Sequence, residues 1–150
     1  MAEMLDAAIE FFTQDNWPFS QIKDQPVLRL GFQGNHGQWN CLAQVREDQQ
    51  QFVFYSVFPV NVPEDKRLAV SEFTSRANYG IMIGNLEIDM NDGEVRYKTS
   101  IDVEEDRLSA ALIKQLVYTN VLTMDRYLPG IMSVIYGNIS PSEAIAQVEG

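Results

Sequence analysis

The run Asn85-Leu86-Glu87-Ile88-Asp89-Met90-Asn91-Asp92-Gly93-Glu94-Val95-Arg96-Tyr97-Lys98-Thr99 alternates apolar and polar residues on either side of Asp92-Gly93. A period of two puts successive side chains on opposite faces of a strand, and Asp-Gly between two such runs is a strong signal for a two-residue hairpin turn. With that turn as the loop, Asn91 faces Glu94, and Met90, Ile88 and Leu86 pair with Val95, Tyr97 and Thr99 on a buried face. On the other face Asp89 opposes Arg96 and Glu87 opposes Lys98. Opposite charges across a ladder contribute roughly 0.2–1 kcal/mol each, enough to help pin a register but not to make a site.

Upstream of this hairpin, Pro63-Glu64-Asp65 opens a helix, with proline where a missing N–H costs little and acids where the helix dipole favours them. The helix runs to about Tyr79, with Ala69, Phe73 and Ala77 on one stripe, and Gly80 is its stop. Before it, Leu28, Leu30 and Phe32 share one face of a strand, Gly34-Asn35-His36-Gly37 turns the chain, and Trp39, Cys41, Ala43 and Val45 alternate with polar residues on the return. Phe52 to Val62 is a third strand, apolar on both faces as far as Val57, which is the pattern of a strand covered on both sides. A helix of this chain, a second subunit or a bound partner must supply the second cover.

At the N-terminus Leu5, Ala8, Ile9 and Phe12 follow helical spacing, with Glu3, Asp6, Glu10 and Thr13 opposite, and Trp17-Pro18 ends the helix. After Glu104-Glu105-Asp106 a long helical segment starts near Leu108, its apolar side running from Leu112 to Ile135. Pro129 either kinks this helix or starts a second one. Ser140-Pro141-Ser142-Glu143 is a capping box that starts a short last helix. The order is α-β-β-β-α-β-β-α-α, an α+β fold with an antiparallel sheet of about five strands, read as a single domain over 1–150.

The 150 residues carry a formal charge of −10, with 45% hydrophobic and 21% charged residues, so a globular core is expected rather than a disordered tail. Binding to nucleic acid or to anionic membranes needs clustered Lys and Arg, and every basic window here is compensated. The acid is uneven: residues 1 to 15 hold Glu3, Asp6, Glu10 and Asp15 and no base. One cysteine, Cys41, and an N-terminus without a basic-then-apolar leader point to the cytoplasm, and the apolar runs are shorter than a membrane span.

Catalytic, metal and cofactor candidates are weak. His36, the lone histidine, sits in a turn, and Cys41 lies on an apolar strand face beside Trp39. The acids of the hairpin miss calcium-loop spacing, and neither zinc spacing, nor a P-loop, nor a nucleophile elbow is present. No cofactor is expected. Phe11, Trp17 and Phe19 lie off the main stripe of the first helix and form either a cap on the sheet edge or a hydrophobic patch for a partner.

Arg76-Ala77-Asn78-Tyr79-Gly80, Ile83-Gly84-Asn85-Leu86-Glu87-Ile88-Asp89, Asp92-Gly93-Glu94-Val95-Arg96-Tyr97-Lys98-Thr99 and Asp125-Arg126-Tyr127-Leu128-Pro129-Gly130 resemble the YbjN-domain family of bacterial proteins, over about residues 20 to 137. The family is labelled a sensory transduction regulator, and no catalytic or ligand residues come with that label. The resemblance implies a type III secretion chaperone-like fold. Chaperones of that fold are small, acidic dimers that commonly pair through the helix between the third and fourth strands and hold extended client segments on apolar patches. It therefore places Leu68, Ala69, Val70, Phe73 and Ala77 at a homodimer interface. The expectation is a non-enzymatic protein-interaction module, chaperone-like or regulatory, acting as a dimer on a partner protein segment. The second reading is a small-ligand sensor with a pocket between the sheet and the long helix, and an enzyme is third.

Overall fold

The computed structural model describes residues 2–150. Helix α1 (Glu3–Gln14) leads to strands β1 (Phe19–Gln21), β2 (Val27–Gln33), β3 (Gln38–Arg46) and β4 (Gln51–Val57). A 3-10 turn at Glu64–Lys66 runs into α2 (Arg67–Gly80), followed by β5 (Asn85–Ile88), β6 (Val95–Asp102), α3 (Ala110–Tyr136) and α4 (Pro141–Glu149). All pairings are antiparallel, in the order β1-β2-β3-β4-β6-β5. The α+β class and element order are those expected, with six strands in place of about five. The extra strand, β1, has three residues, too few for an alternation to register.

The 83–103 hairpin forms, but its register is two residues from the one expected. Ile88, not Met90, pairs with Val95, and Glu87, not Asp89, faces Arg96. The turn is longer: Asp89 N–H donates to Glu94 O (2.8 Å) and Gly93 N–H to Asp89 O (2.7 Å). Tertiary contacts hold this larger loop against the two-residue preference of Asp-Gly. Val62 N–H donates to Gly93 O, and the Arg67 guanidinium at the start of α2 donates to the carbonyls of Val62, Met90 and Asn91. Gly93 has φ +81°, and a Cβ there would lie 2.2 Å from Val62 O. A shift of two keeps each side chain on its face, so Leu86, Val95 and Tyr97 are buried as expected, while Met90 moves to the exposed loop.

The helices pack on one face of the sheet, where Leu28, Leu30, Trp39, Cys41, Ala43, Val45, Phe52, Phe54, Val95 and Tyr97 are buried. The third strand ends at Val57, five residues before the expected end, although Phe58 and Val62 stay buried beside the hairpin tip. Asn120 of α3, fully buried, donates through Nδ2 to Phe54 O (2.8 Å) and Tyr97 O (3.0 Å), which fixes α3 across β4 and β6. Helix α3 continues through Pro129 as one helix of 27 residues. Proline has no N–H to donate to the carbonyl four residues back, and the carbonyl so released, that of Asp125, takes a contact from His36 Nδ1 at 3.0 Å.

Candidate partner-binding face

Among the described residues no helix covers the second face of the sheet. Its rows follow from the register: Arg29, Leu42, Tyr55, Lys98 and Asn85 run across the strands in one line, and Gly31, Asn40, Val57, Arg96 and Glu87 in the next. Val53 and Gln44 begin a third row. Each of these residues is half-buried or exposed, whereas most of their strand neighbours on the helix side are buried. The doubly apolar character of β4 thus places Phe52 and Phe54 in the core and Val53, Tyr55 and Val57 on an open surface.

The polar groups on this face are held in place. Glu87 Oε1 lies 2.7 Å from Arg96 Nε, and its Oε2 lies 2.8 Å from Lys98 Nζ. The Arg96 guanidinium stacks 4.3 Å from the centre of the Tyr55 ring. Partial burial alone would raise the Glu87 carboxyl, but hydrogen bonds and charge from Lys98 and Arg96 outweigh it and hold the group below its ordinary value. Arg29, Arg46, Arg96 and Lys98 lie on this face with the acids Glu87 and Asp102, and Asp89 and Glu94 stand beside Arg96 at its β5–β6 end. In a chain of net −10, the open face is balanced in charge rather than acidic.

The expected patch of Phe11, Trp17 and Phe19 is instead largely interior. The buried stripe of α1 runs through Met4, Ala8, Phe11 and Phe12, a rotation from the Leu5-Ile9 stripe expected, and it carries Phe11 inward. Trp17 donates from Nε1 to Gly31 O (2.8 Å) and packs edge-on against Phe12. Phe11 and Trp17 are 8% and 9% exposed, and only Phe19, on edge strand β1, is half-exposed. The start of α1 is capped from afar: Glu47, after β3, accepts N–H bonds from Met4 and Leu5.

His36 and Cys41 are both engaged structurally. The Asp125 carboxylate accepts the backbone N–H groups of Asn35 (3.0 Å) and His36 (2.9 Å), clamping the β2–β3 turn to α3. Cys41 is fully buried, 3.8 Å from Ser56 Oγ, and burial pushes its thiol up to about 12, far from a nucleophile's range. The space expected for a ligand between the sheet and α3 is filled by Phe54, Tyr97, Val117, Val121 and Met124 around Asn120. Among the described residues no group of three or more His, Cys, Asp or Glu is placed to hold a metal ion, and no helix is long and apolar enough to cross a membrane.

The family model described as "Putative bacterial sensory transduction regulator", YbjN, matches residues 5–132. The chain belongs to the YbjN family. Its fold is similar to that of E. coli YbjN (TM-score 0.66, 14% identity, covering 98% of this chain and 94% of that one), described as "a putative transcription regulator". It is also similar to a chain of the ExsC–ExsE complex (TM-score 0.58, 11% identity, 83% and 90% covered). A third similar structure is the Yersinia pestis type III secretion chaperone SycH in complex with a fragment of YscM2 (TM-score 0.54, 8% identity, 85% and 99% covered). No curated protein matches by sequence. At these identities the likeness is one of fold, and the type III secretion chaperone-like architecture is shown.

In this YbjN-family chain, the five residues that the resemblance placed at a dimer interface divide between inside and outside. Val70, Phe73 and Ala77 are fully buried within the chain, Ala69 is half-buried, and Leu68 is 79% exposed. The solvent side of α2 is formed by Leu68, Glu72, Ser75, Arg76 and Tyr79, with Met82 and Ile83 exposed just beyond the helix. Apolar spacing alone does not divide α2 into these two sides, because the buried stripe is set by where α3 and α4 pack.

Proposed function

We propose that this YbjN-family protein is a non-enzymatic protein-interaction module, chaperone-like or regulatory, that holds an extended segment of a partner protein on the open face of its sheet. The observation carrying this reading is the uncovered row Leu42-Tyr55 with Val53 and Val57, bordered by Arg29, Arg96 and Lys98. A flat apolar row flanked by Arg29, Arg96 and Lys98 fits a segment that alternates apolar and acidic residues. Its acids meet the guanidinium and ammonium groups, and its apolar side chains cover Tyr55 and Leu42. Similar chaperone folds are solved with protein partners, which supports a protein client for this one. The protein acts as a homodimer in this reading, with Leu68, Tyr79, Met82 and Ile83 as the available apolar contacts on and after α2.

The test uses the full-length protein and a panel of labelled extended peptides, alternating apolar–acidic against apolar–basic, read by fluorescence anisotropy. The apolar–acidic set is expected to bind. Tyr55→Asp, which places a charge in the central row, is expected to weaken binding by about 2 kcal/mol or more, roughly thirtyfold, as for an interface aromatic. Equal binding of both sets, no binding of either, or a Tyr55→Asp protein that binds as well as the wild type would overturn the reading.

A further inference from the structure

Gly31 stands in the interior of β2 on the open face, between Arg29 and Gln33 and opposite Asn40 of β3. A glycine inside a strand gives up packing and chain stiffness, and it often marks a place where another backbone or a ligand comes close. The fold makes no use of the missing side chain here. Its φ lies outside the left-handed region, and an added Cβ would meet nothing nearer than Trp39 O at 4.0 Å. Gly34, at the end of the same strand, is different, because a Cβ there would run into the Asp125 carboxylate.

Gly31 lines a hollow of about 660 Å³ together with Gln38, Asn40, Val57, Pro59 and Asn61. Trp17 donates from Nε1 to the Gly31 carbonyl at 2.8 Å, which fixes the backbone of its floor. No residue that lines the hollow is ionisable, whereas Arg29, Glu87, Arg96 and Lys98 stand on the rest of the face. A charged occupant would lose hydration there without gaining a counter-charge. Val57, Pro59 and the bare Gly31 backbone offer apolar contact to a flat ring, and the amide side chains offer hydrogen bonds to its edge. Asn61 donates from Nδ2 to Asp92 O (3.1 Å), which leaves its Oδ1 to accept from an outside donor.

We propose that this hollow is the specificity pocket of the open face, and that it receives a tyrosine or tryptophan side chain of the bound partner segment. The ring lies over Gly31, and its O–H or N–H meets the amides. The inference rests on the open face being the partner site. An aromatic ring laid over a strand glycine is a known way of covering it between neighbouring strands. Here the cover has to come from outside, since the cross-strand neighbour of Gly31 is Asn40 and the pairing with β1 ends at Leu30. The spacing fits as well. The hollow lies one row beyond Leu42 and Tyr55, roughly 7 Å along the strands, and an extended segment repeats its same-side residues at that interval. An apolar residue on Tyr55 thus sets the residue two positions away at the hollow.

The test uses the full-length protein and three labelled apolar–acidic peptides that differ at one central apolar position, which holds tyrosine, phenylalanine or alanine. The wild type is expected to bind the tyrosine peptide about tenfold or more tighter than the alanine one, with phenylalanine between them. Gly31→Val, which fills the hollow, is expected to bind all three as the wild type binds the alanine peptide, with a thermal midpoint no lower than the wild type's. Equal wild-type affinity for tyrosine and alanine, or a tyrosine preference that survives Gly31→Val, would overturn the proposal and leave the sheet-face reading standing. Phenylalanine that binds as tightly as tyrosine overturns the contact with the amides. Failure of all three peptides to bind ends the sheet-face reading and this inference with it. Should Gly31→Val not fold, Gly31→Ala, which adds only the Cβ that has space, is measured in the same way, and a second failure shows that the fold needs this glycine and ends the proposal.

Discussion

Glu87 stands between two cations on the open sheet face, and its role is read from the direction of its titration. The carboxyl titrates below its ordinary value of 4.5 because Lys98 and Arg96 favour the charged form in the folded state. A depressed carboxylate contributes stability above its unfolded value and loses it as pH falls through the lower folded value. Glu87→Gln is therefore expected to lower the urea midpoint at pH 7, with the difference from wild type shrinking below about pH 4.5 and vanishing once both proteins carry a neutral group. A difference that stays constant down to pH 2 would show that the Arg96 and Lys98 contacts do not depend on the charge. Near this site the sequence had the right residues and the wrong partner. It placed Asp89 against Arg96, whereas Asp89 has left the ladder and its Oδ1 accepts the N–H of Asn91 in the turn.

At the scale of elements, the free edge of the sheet at β5 is closed by a side chain. Asn78, near the end of α2, donates from Nδ2 to Leu86 O (3.0 Å) and accepts Leu86 N–H at Oδ1 (2.8 Å), occupying one outward-facing backbone pair of the edge strand. An unpaired edge is a template for strand addition between molecules. Asn78→Ala is expected to cost about 1–2 kcal/mol and to raise light scattering on heating, while Asn78→Asp, which keeps the acceptor and loses the donor, falls between the two. Scattering unchanged from wild type would remove edge protection as the role of Asn78. Elements of this kind were legible where local chemistry decides them: the 3-10 turn that Pro63 opens ahead of α2, the Gly34–Gly37 turn and the Ser140 cap are all local signals. The hairpin register was not, because Arg67 and Val62, distant in sequence, hold a loop larger than Asp-Gly prefers. The rotation of α1 was not either, since Phe11 and Leu5 are comparably apolar and only the sheet and α3, distant in sequence, select between them.

Over the whole molecule, the same asymmetry decides which variants can separate folding from assembly. The periodicity of α2 showed an apolar helix, but the division into a face turned to α3 and α4 and a face turned to solvent exists only once those helices dock. Phe73 is fully buried, edge-on to Tyr127 at 6.3 Å between ring centres. Leu68 and Tyr79, on the same helix, are 79% and 95% exposed. Phe73→Glu removes a core aromatic, which alone costs about 3–5 kcal/mol, and adds a buried charge, so it is expected to unfold a protein whose total stability is roughly 5–15 kcal/mol. It cannot report on dimerisation. Leu68→Glu with Tyr79→Ser removes apolar surface already in water, which leaves monomer stability within about 0.5 kcal/mol. If α2 is where two copies meet, light scattering at micromolar concentration should find a dimer for the wild type and a monomer for this double variant, with superimposable far-ultraviolet circular dichroism. A wild type that is monomeric under those conditions ends the homodimer reading. A double variant that remains dimeric moves the interface off α2 and leaves the sheet face and the two edge strands as the places to look.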